Sequence, residues 1–481
     1  MSIDTLPDEV LLEIFDFFVV QCTISKEEID GWHPLVHVCR RWRRIVFESP
    51  RRLNLRLVGT AVTPASDTLD DWPALPLFLW EYRHRAFETG MDNIIAILER
   101  SDRVDQIILT LSSSFLEQAL AAMLVPFPEL TNLALEFEDE ADEGEDESML
   151  VLPDSFLGRS APRLETLELD RIPFPGLPNL LLSTTHLVDL SLKRVPHSGY
   201  ISPESMATVL STLVSLDDLH FEFQSQSHSD RTNRSPISTR SVLPALTCFS
   251  FSGVSEYLEE FLARIDAPRL RILSVTFDHI VFDTPQLVQF TRRTPRFKVL
   301  EKARVAFERV NYHTFLEYGA VRVRLTSNVS GRGGGGRLNV GISVGESNWP
   351  PSFLVQACTS CLSPLSMKVL HIDVPHSLPG WLSAWLNDVQ DTEWLEVFHP
   401  FATVTKLYLG KELAQPIAVA LKKLVEGGTT EVLPALQKII FEGPQLSESV
   451  QEAFFFFLTS ILVRLGYRTL RSTFSIAKYV Q

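Results

Sequence analysis

The sequence predicts an α/β protein in which a small helical region at the N-terminus precedes a long array of parallel strands and helices. Two observations predict this class. Within residues 8–47, apolar side chains recur at three- and four-residue steps, which is the period of a helix. Along the rest of the 481-residue chain, a short apolar L-x-x-L-x-L segment recurs, with helix-like stretches between its copies.

The composition indicates a folded protein and excludes several classes of function. Hydrophobic residues make up 45% of the chain and charged residues 22%, the balance of a packed domain. The net charge of −16 argues against nucleic acid as a partner. Five cysteines in so long a chain do not form a disulfide framework, which favours a reducing compartment, the cytoplasm or the nucleus or both.

The sequence predicts no membrane anchor and no secretory signal. The most apolar segment near the C-terminus is "AFFFFLTSILV", residues 453–463. Crossing a bilayer takes about twenty apolar residues, so this segment is too short. We therefore expect it to form a buried helix and expect no membrane partner.

Two amphipathic segments predict the N-terminal helices. In "DTLPDEVLLEIFDFF", Pro7 suits a first helical turn, and an unusually wide apolar stripe follows it, made of Val10, Leu11, Ile14, Phe15 and Phe18. In the second segment, one helical face carries Leu35, Val38, Cys39, Trp42, Ile45 and Val46, and four arginines occupy the other face. Ser49 and Pro50 end this helix. So small a pair cannot bury its own apolar surface and needs a partner.

The order of three stretches carries a family resemblance. "LPDEVLLEIF", "LVHVCRRWRRI" and "SPRRLNLRL" resemble the F-box of the fungal type, which docks a protein onto the Skp-type adaptor of cullin–RING ubiquitin ligases. The segment "VVQCTISKEEIDGWHP" separates the two helices by more residues than the family pattern, so this part is remodelled or carries a loop. The resemblance implies that adaptor-facing residues are Leu6, Pro7, Leu11, Ile14, Leu35, Val38, Cys39 and Trp42. Some of these residues must hold the helices together instead, and the sequence leaves that division open.

The repeat unit resembles an irregular leucine-rich repeat. Its ten copies begin at Val104, Leu130, Leu164, Leu187, Leu216, Leu246, Leu270, Met367, Val404 and Leu436. One strand and one helix per copy predict a solenoid whose strands stack into a parallel sheet. The interval between Leu270 and Met367 is 97 residues and contains two strand-like stretches, "VRVRLTS" and "RLNVGISV", around the glycine-rich "GRGGGG".

These patterns divide the chain into an F-box at 1–57, a connecting segment at 58–100 and a repeat solenoid at 101–481. The solenoid contains an irregular insert at 301–350 and an acidic run at 136–147. That run, "EFEDEADEGEDE", holds nine acidic residues. Because charges of one sign repel, we expect it to be a solvated surface loop.

No motif in the sequence predicts a catalytic site, a cofactor or a metal. "GISVG" around Ser343 fits the Gly-x-Ser-x-Gly motif of serine hydrolases, but Pro350 and Pro351 lie where the helix after the serine should run. "GRGGGGR" lacks the Lys-Ser/Thr ending of a phosphate-binding loop. Cys358 and Cys361 have no second pair at zinc-site spacing.

Three hypotheses of function follow. The leading one is a non-catalytic substrate receptor of an SCF-type ubiquitin ligase, with the adaptor on the F-box and a protein target on the repeats. The alternative is a scaffold that binds both without ligase activity, and the least favoured is a serine hydrolase. The target is not encoded in any motif, because repeat surfaces are chosen residue by residue.

Overall fold

The computed structural model describes most of the chain. The described residues are 6–22, 32–50, 52–81, 90–138, 151–223, 240–277, 284–298, 300–311, 317–327, 335–344, 367–373, 391–426, 432–442 and 447–464. The chain forms two compact units, Met1–Leu216 and Asp217–Gln481.

Helices and strands alternate along most of the described chain. The α-helices are α1 Asp8–Cys22, α2 His33–Val38, α3 Arg40–Glu48, α4 Ala65–Leu69, α5 Met91–Leu98, α6 Ser113–Ala122, α7 Leu177–Leu181, α8 Pro203–Leu210, α9 Ser255–Arg264, α10 Pro285–Arg293, α11 Asp391–Phe398, α12 Lys411–Glu426 and α13 Glu448–Arg464. Short 3-10 turns are Phe156–Arg159, His197–Gly199, Pro295–Phe297 and His399–Phe401.

The strands follow the same chain order. In the first unit they are β1 Leu57–Gly59, β2 Leu77–Glu81, β3 Val104–Leu111, β4 Asn132–Phe137, β5 Thr166–Asp170 and β6 Asp189–Val195. In the second unit they are β7 Asp218–Phe223, β8 Ser241–Val242, β9 Cys248–Gly253, β10 Ile265–Asp266, β11 Ile272–Phe277, β12 Leu300–Asn311, β13 Glu317–Ser327, β14 Arg337–Val344, β15 Val369–Asp373, β16 Lys406–Gly410 and β17 Lys438–Glu442.

Each of the ten predicted repeat copies contains a strand, so the predicted α/β fold of helices followed by a large parallel-strand sheet is confirmed. The copy at Leu164 shows the local cause. Its first leucine closes a turn, with the Leu164 N–H donating to the Ala161 carbonyl at 3.1 Å. In the strand that follows, Leu167 and Leu169 are buried while Glu168 points outward, because strand side chains alternate between two faces.

In the first unit, β1 to β6 pair in chain order and every pair is parallel. Register places Leu109, Leu135, Leu169 and Leu192 side by side, and all four are buried. The repeat solenoid was predicted to begin at residue 101, but the sheet begins earlier in the chain. Strands β1 and β2 lie in or beside the predicted connecting segment 58–100, and β1 is too short to contain the repeat pattern.

The second unit departs from a purely parallel solenoid. Its main strand order is β7-β9-β11-β14-β13-β12-β15-β16-β17, and β13 runs antiparallel to both β12 and β14. Among the described residues between Leu270 and Met367, β14 pairs parallel with β11 and β12 pairs parallel with β15, and β13 is inserted antiparallel between β12 and β14. Alternating residues such as those of "VRVRLTS" fit either direction of pairing, so the sequence pattern could not distinguish the two. Most of the glycine-rich stretch, 331–334, lies outside the described residues.

The predicted C-terminal helix is present as α13, but only part of it is buried. Phe454 and Phe457 are fully buried, whereas Phe455 and Phe456 are 45% and 49% exposed. The expectation of a buried helix is therefore correct for one face. Within the described residues, no helix is both long and apolar enough to cross a membrane.

The acidic run begins inside a strand and not in a loop. Glu136 and Phe137 are the last residues of β4. The guanidinium of Arg194 contacts Glu136 at 3.0 Å and also pairs with Asp170, which is only 7% exposed. Burial by itself would lower the pKa of Arg194, but hydrogen bonds from its guanidinium to Asp170 and Glu136 raise it overall. The predicted loop 136–147 must be shortened at its start, and residues 139–147 lie outside the described residues.

Two deletions should separate the strand end from the rest of the acidic run. Removing residues 139–147 should shift the melting temperature by less than about 2 °C, because changing the length of a connection costs only about 0.6 kcal/mol per doubling. Removing 136–147 should lower the melting temperature by several degrees more, because it also removes a strand end and one partner of Arg194. Thermal unfolding by circular dichroism measures both, and equal shifts would contradict this division.

Candidate functional site

Helix α1 has two apolar faces. It begins after Pro7, whose carbonyl accepts the N–H groups of Val10 and Leu11 at 3.1 Å each, and Asp8 and Glu9 lie in its first turn, where the helix dipole favours negative charge. One face is buried and consists of Leu11, Phe15 and Val19. The other remains exposed and consists of Val10 (41%), Ile14 (42%), Phe17 (67%) and Phe18 (39%).

The second predicted helix is broken into α2 and α3 at Cys39. Cys39 has extended backbone angles (φ −160°, ψ 169°), and its Sγ accepts the N–H of Trp42 at 3.5 Å as an N-terminal cap. The predicted apolar face from Leu35 to Val46 is therefore divided between two helices. The helical period continued across the break, so spacing alone could not reveal it. The predicted end of the helix is correct, since α3 stops at Glu48.

The arginines of α3 include one that holds the helices together. The Arg41 guanidinium donates to the Leu6 carbonyl at 2.6 Å and to the Asp8 carboxylate at 2.5 Å. Arg43 donates to the Val36 carbonyl at 2.9 Å. Arg40, Arg43 and Arg44 are exposed, as predicted for a solvated face, and Arg41 is half-buried. Partly exposed contacts of this kind contribute only about 0–1 kcal/mol each, so they orient α1 and α2 against α3 more than they stabilise the domain.

The structure sorts the eight predicted adaptor-facing residues into three groups. Leu11 and Leu35 are buried inside the helical region, so their side chains serve its packing. Leu6 and Trp42 are half-buried, and the Trp42 ring contacts Phe15 with centroids 4.7 Å apart. The exposed group is Pro7, Ile14, Val38 and Cys39. Contact of any of the eight with an adaptor stays a prediction.

Sequence reasoning left Val10, Phe17 and Phe18 out of the predicted site, although they are exposed on α1. The available signal was the width of the apolar stripe, which exceeds what a single packing face needs. Val10, Ile14, Phe17 and Phe18 lie at helical spacing along one side of α1. Exposed apolar side chains grouped in this way are typical of a surface that binds another protein. We call these four residues the α1 patch.

The comparisons with known proteins agree with this geometry at the N-terminus. The family model described as F-box-like matches residues 3–55, a range that includes helices α1, α2 and α3. Residues 3–55 form an F-box-like domain. The resemblance is therefore confirmed for this region, and the fungal type stays a prediction.

The comparisons outside the F-box-like domain add little. No curated protein matches this chain. A similar solved structure is the leucine-rich repeat-containing protein LegL7 from Legionella pneumophila, at 12% identity, covering 76% of this chain and 83% of that one with a TM-score of 0.26. A TM-score this low adds nothing to what the strands and register of the repeats show.

The F-box-like domain is joined to the first strands of the sheet by a buried tryptophan. Trp32 is 1% exposed, and its Nε1 donates to the Arg56 carbonyl at 3.0 Å, directly before β1. Its ring also packs edge-on against Trp72, with centroids 5.3 Å apart. Arg56 then forms an ion pair with Asp105 of β3 at 2.8 Å. The domain is thus attached to the repeats through packing as well as through the chain.

Trp32 was not among the predicted residues because it lies in the segment interpreted as a remodelled loop. Residues 23–31 of that segment are outside the described residues, but Trp32 directly precedes α2. Pro34 in the first turn of α2 was the available signal, since proline there marks a helix start and the residue before the helix often packs against it.

The hydrolase hypothesis meets a geometric objection. Ser343 lies within β14 and is paired in register with Ala320 of β13. A nucleophile elbow instead places its serine on a sharp turn between a strand and a helix. Pro350, Pro351, Cys358 and Cys361 lie outside the described residues. In the described part of the chain, no three histidine, cysteine, aspartate or glutamate side chains are grouped to hold a metal ion.

Ser343→Ala should leave any esterase activity of the purified chain unchanged. The reason is the paired position of Ser343 in a strand, where its backbone is held away from the elbow geometry. Hydrolysis of p-nitrophenyl acetate by wild-type and variant protein measures this, with Ser327→Ala in the neighbouring strand as a matched control. A loss of activity confined to Ser343→Ala would restore the hydrolase hypothesis.

Proposed function

We propose that this chain is a substrate-receptor subunit of an SCF-type cullin–RING ubiquitin ligase, acting in the cytoplasm, the nucleus or both. The observation that carries the proposal is an F-box-like domain whose α1 patch remains exposed while the opposite face of the same helix is buried. An apolar surface of this kind stays in water only at a cost, and an adaptor would cover it.

In this proposal the chain performs no chemistry itself. The F-box-like domain binds a Skp-type adaptor, which links it to the cullin–RING ligase, and the repeats hold a protein target. Tethering raises the effective concentration of the target's lysines near the ubiquitin-charged enzyme, which increases the transfer rate without a catalytic residue in this chain. The packing of Trp32 between the domain and β1 supports this role, because it limits how far a bound target can move relative to the adaptor.

Reconstitution tests the proposal in two steps. The full chain should co-purify with a Skp-type adaptor and, through it, with cullin and RING subunits. The assembled complex, supplied with ubiquitin and its activating and conjugating enzymes, should then transfer ubiquitin to a target identified by proximity labelling under proteasome inhibition. Adaptor binding without transfer to any labelled protein would favour the ligase-independent scaffold, and absence of adaptor binding would overturn both.

A further inference from the structure

In the second unit, one face of the sheet across β14, β13, β12, β15, β16 and β17 keeps most of its described side chains half-buried or exposed. Side chains alternate along these strands, and the inward rows, such as Leu338, Leu325, Ala303, Leu370 and Leu407, are fully buried. Most of the described residues between them in register are half-buried or exposed, with Ile440 as a buried exception. They form two adjacent rows on the opposite face, which we call the basic face.

The basic face has a charge opposite to that of the chain. Its cations are Lys302, Arg304, Arg324, Arg337, Lys406 and Lys438, one or two from each of five strands. Asp373, which is in register with Ala306 just beyond these two rows, is a carboxylate on the same face and pairs with Arg304. The whole chain has a net charge of −16, so this concentration of cations is not a consequence of composition.

Register brings several of these cations next to one another. Arg304 and Arg324 are directly opposed on the antiparallel pair, and Lys406 and Lys438 are neighbours on parallel strands. Like charges in such positions destabilise a sheet, so their presence has a cost in folding. An anionic ligand lying across the strands would offset that cost.

Neutral side chains between the cations are held in fixed positions. The Arg324 Nε donates to the Asn339 side-chain oxygen at 3.1 Å, and the Asn339 amide donates to the Ser274 hydroxyl at 2.9 Å. The rings of His371 and Tyr408 stack with centroids 4.0 Å apart. Burial lowers the pKa of His371, Asp373 opposes this, and Arg304 and Lys302 lower it further.

We propose that the basic face binds an extended, carboxylate-rich segment of the target protein. The inference deepens the proposed function, since it assigns a chemical class to the target. Crossing from β14 to β17 spans five strand spacings, about 24 Å at roughly 4.8 Å each. An extended chain covers that distance with about seven residues. Cations distributed along this length match several single charges in a row and not one phosphate group, and the net charge of the chain disfavours nucleic acid.

Fluorescence anisotropy with a defined probe tests the proposal. The probe is a fluorescein-labelled heptapeptide of alternating glutamate and serine, titrated with the full-length chain at low and at physiological salt. The same peptide with glutamine in place of glutamate, a serine peptide with one phosphoserine, and a single-stranded oligonucleotide are separate arms. We expect binding of the glutamate peptide that weakens as salt rises, and weaker binding of every other arm.

Lys406→Glu combined with Lys438→Glu should weaken binding of the glutamate peptide at least about tenfold, because two attractive charges become repulsive. Arg292→Glu with Lys422→Glu changes the net charge equally on exposed helix positions outside the basic face, and its affinity should stay within about twofold of wild type. If the double glutamate variant fails to fold, the double variant Lys406→Gln and Lys438→Gln is measured in its place. Adaptor co-purification should persist in all of them, which separates this test from that of the proposed function.

Equal losses in the two charge-reversal variants would overturn the proposal, since they would show an effect of net charge alone. Tighter binding of the oligonucleotide or of the single phosphoserine peptide than of the glutamate peptide would also overturn it. Absence of measurable binding of the glutamate peptide at low salt would do the same.

Discussion

Replacing Ile14 and Phe17 of the α1 patch by aspartate should abolish co-purification of a Skp-type adaptor and leave the unfolding transition of the chain nearly unchanged. Both side chains are exposed, at 42% and 67%, so the new carboxylates remain in water in the free chain. At an interface the same carboxylates would be buried without partners. Truncated anchors at interfaces cost about 2 kcal/mol or more each, so affinity should fall by well over a hundredfold for the pair.

A matched control separates this effect from a general loss of apolar surface. Leu182 and Val214 are 60% and 61% exposed in the same unit but outside the F-box-like domain. Aspartate at both positions should leave adaptor affinity unchanged, as measured by isothermal titration calorimetry with purified adaptor. If the Ile14 and Phe17 variant retains wild-type affinity, the α1 patch is not the docking surface.

The second large effect is expected at Trp32. Trp32→Ala should reduce the free energy of unfolding by about 3–5 kcal/mol, because the side chain is almost completely buried against His33, Phe47 and Trp72. It also leaves the Arg56 carbonyl without its 3.0 Å hydrogen bond. Urea unfolding followed by circular dichroism measures the loss. Hydrogen exchange should locate it in α2, α3 and β1, the elements that Trp32 holds together.

Two further variants give this prediction its controls. Trp32→Phe keeps an aromatic ring but removes the indole N–H, so it should cost less than the alanine variant, about 1–3 kcal/mol. Trp72→Ala removes a half-buried ring of the same cluster and should also cost less. A Trp32→Ala protein with wild-type stability and wild-type exchange in α3 would show that the F-box-like domain is attached by the chain alone.

The buried members of the predicted adaptor site show how sequence and structure differ in what they resolve. Leu11 and Ile14 are three residues apart in the same apolar stripe, and the stripe itself was predicted from helical spacing. Leu11 is fully buried and Ile14 is 42% exposed. Which of them faces α3 depends on the direction from which another helix approaches α1, and residue spacing contains no information about that approach.

The sequence by itself determined the features that are encoded locally. The start of α1 after Pro7, the end of α3 before Pro50 and a strand in each of the ten repeat copies follow from turn chemistry and from the period of apolar residues, which act within a few positions. Only the tertiary structure decided the break at Cys39, the antiparallel pairing of β13 and the packing of Trp32 against Trp72. It also brought Lys302, Lys406 and Lys438 to one face. These features depend on the register and packing of segments far apart in the chain, and a one-residue change in register would turn the cations toward the core.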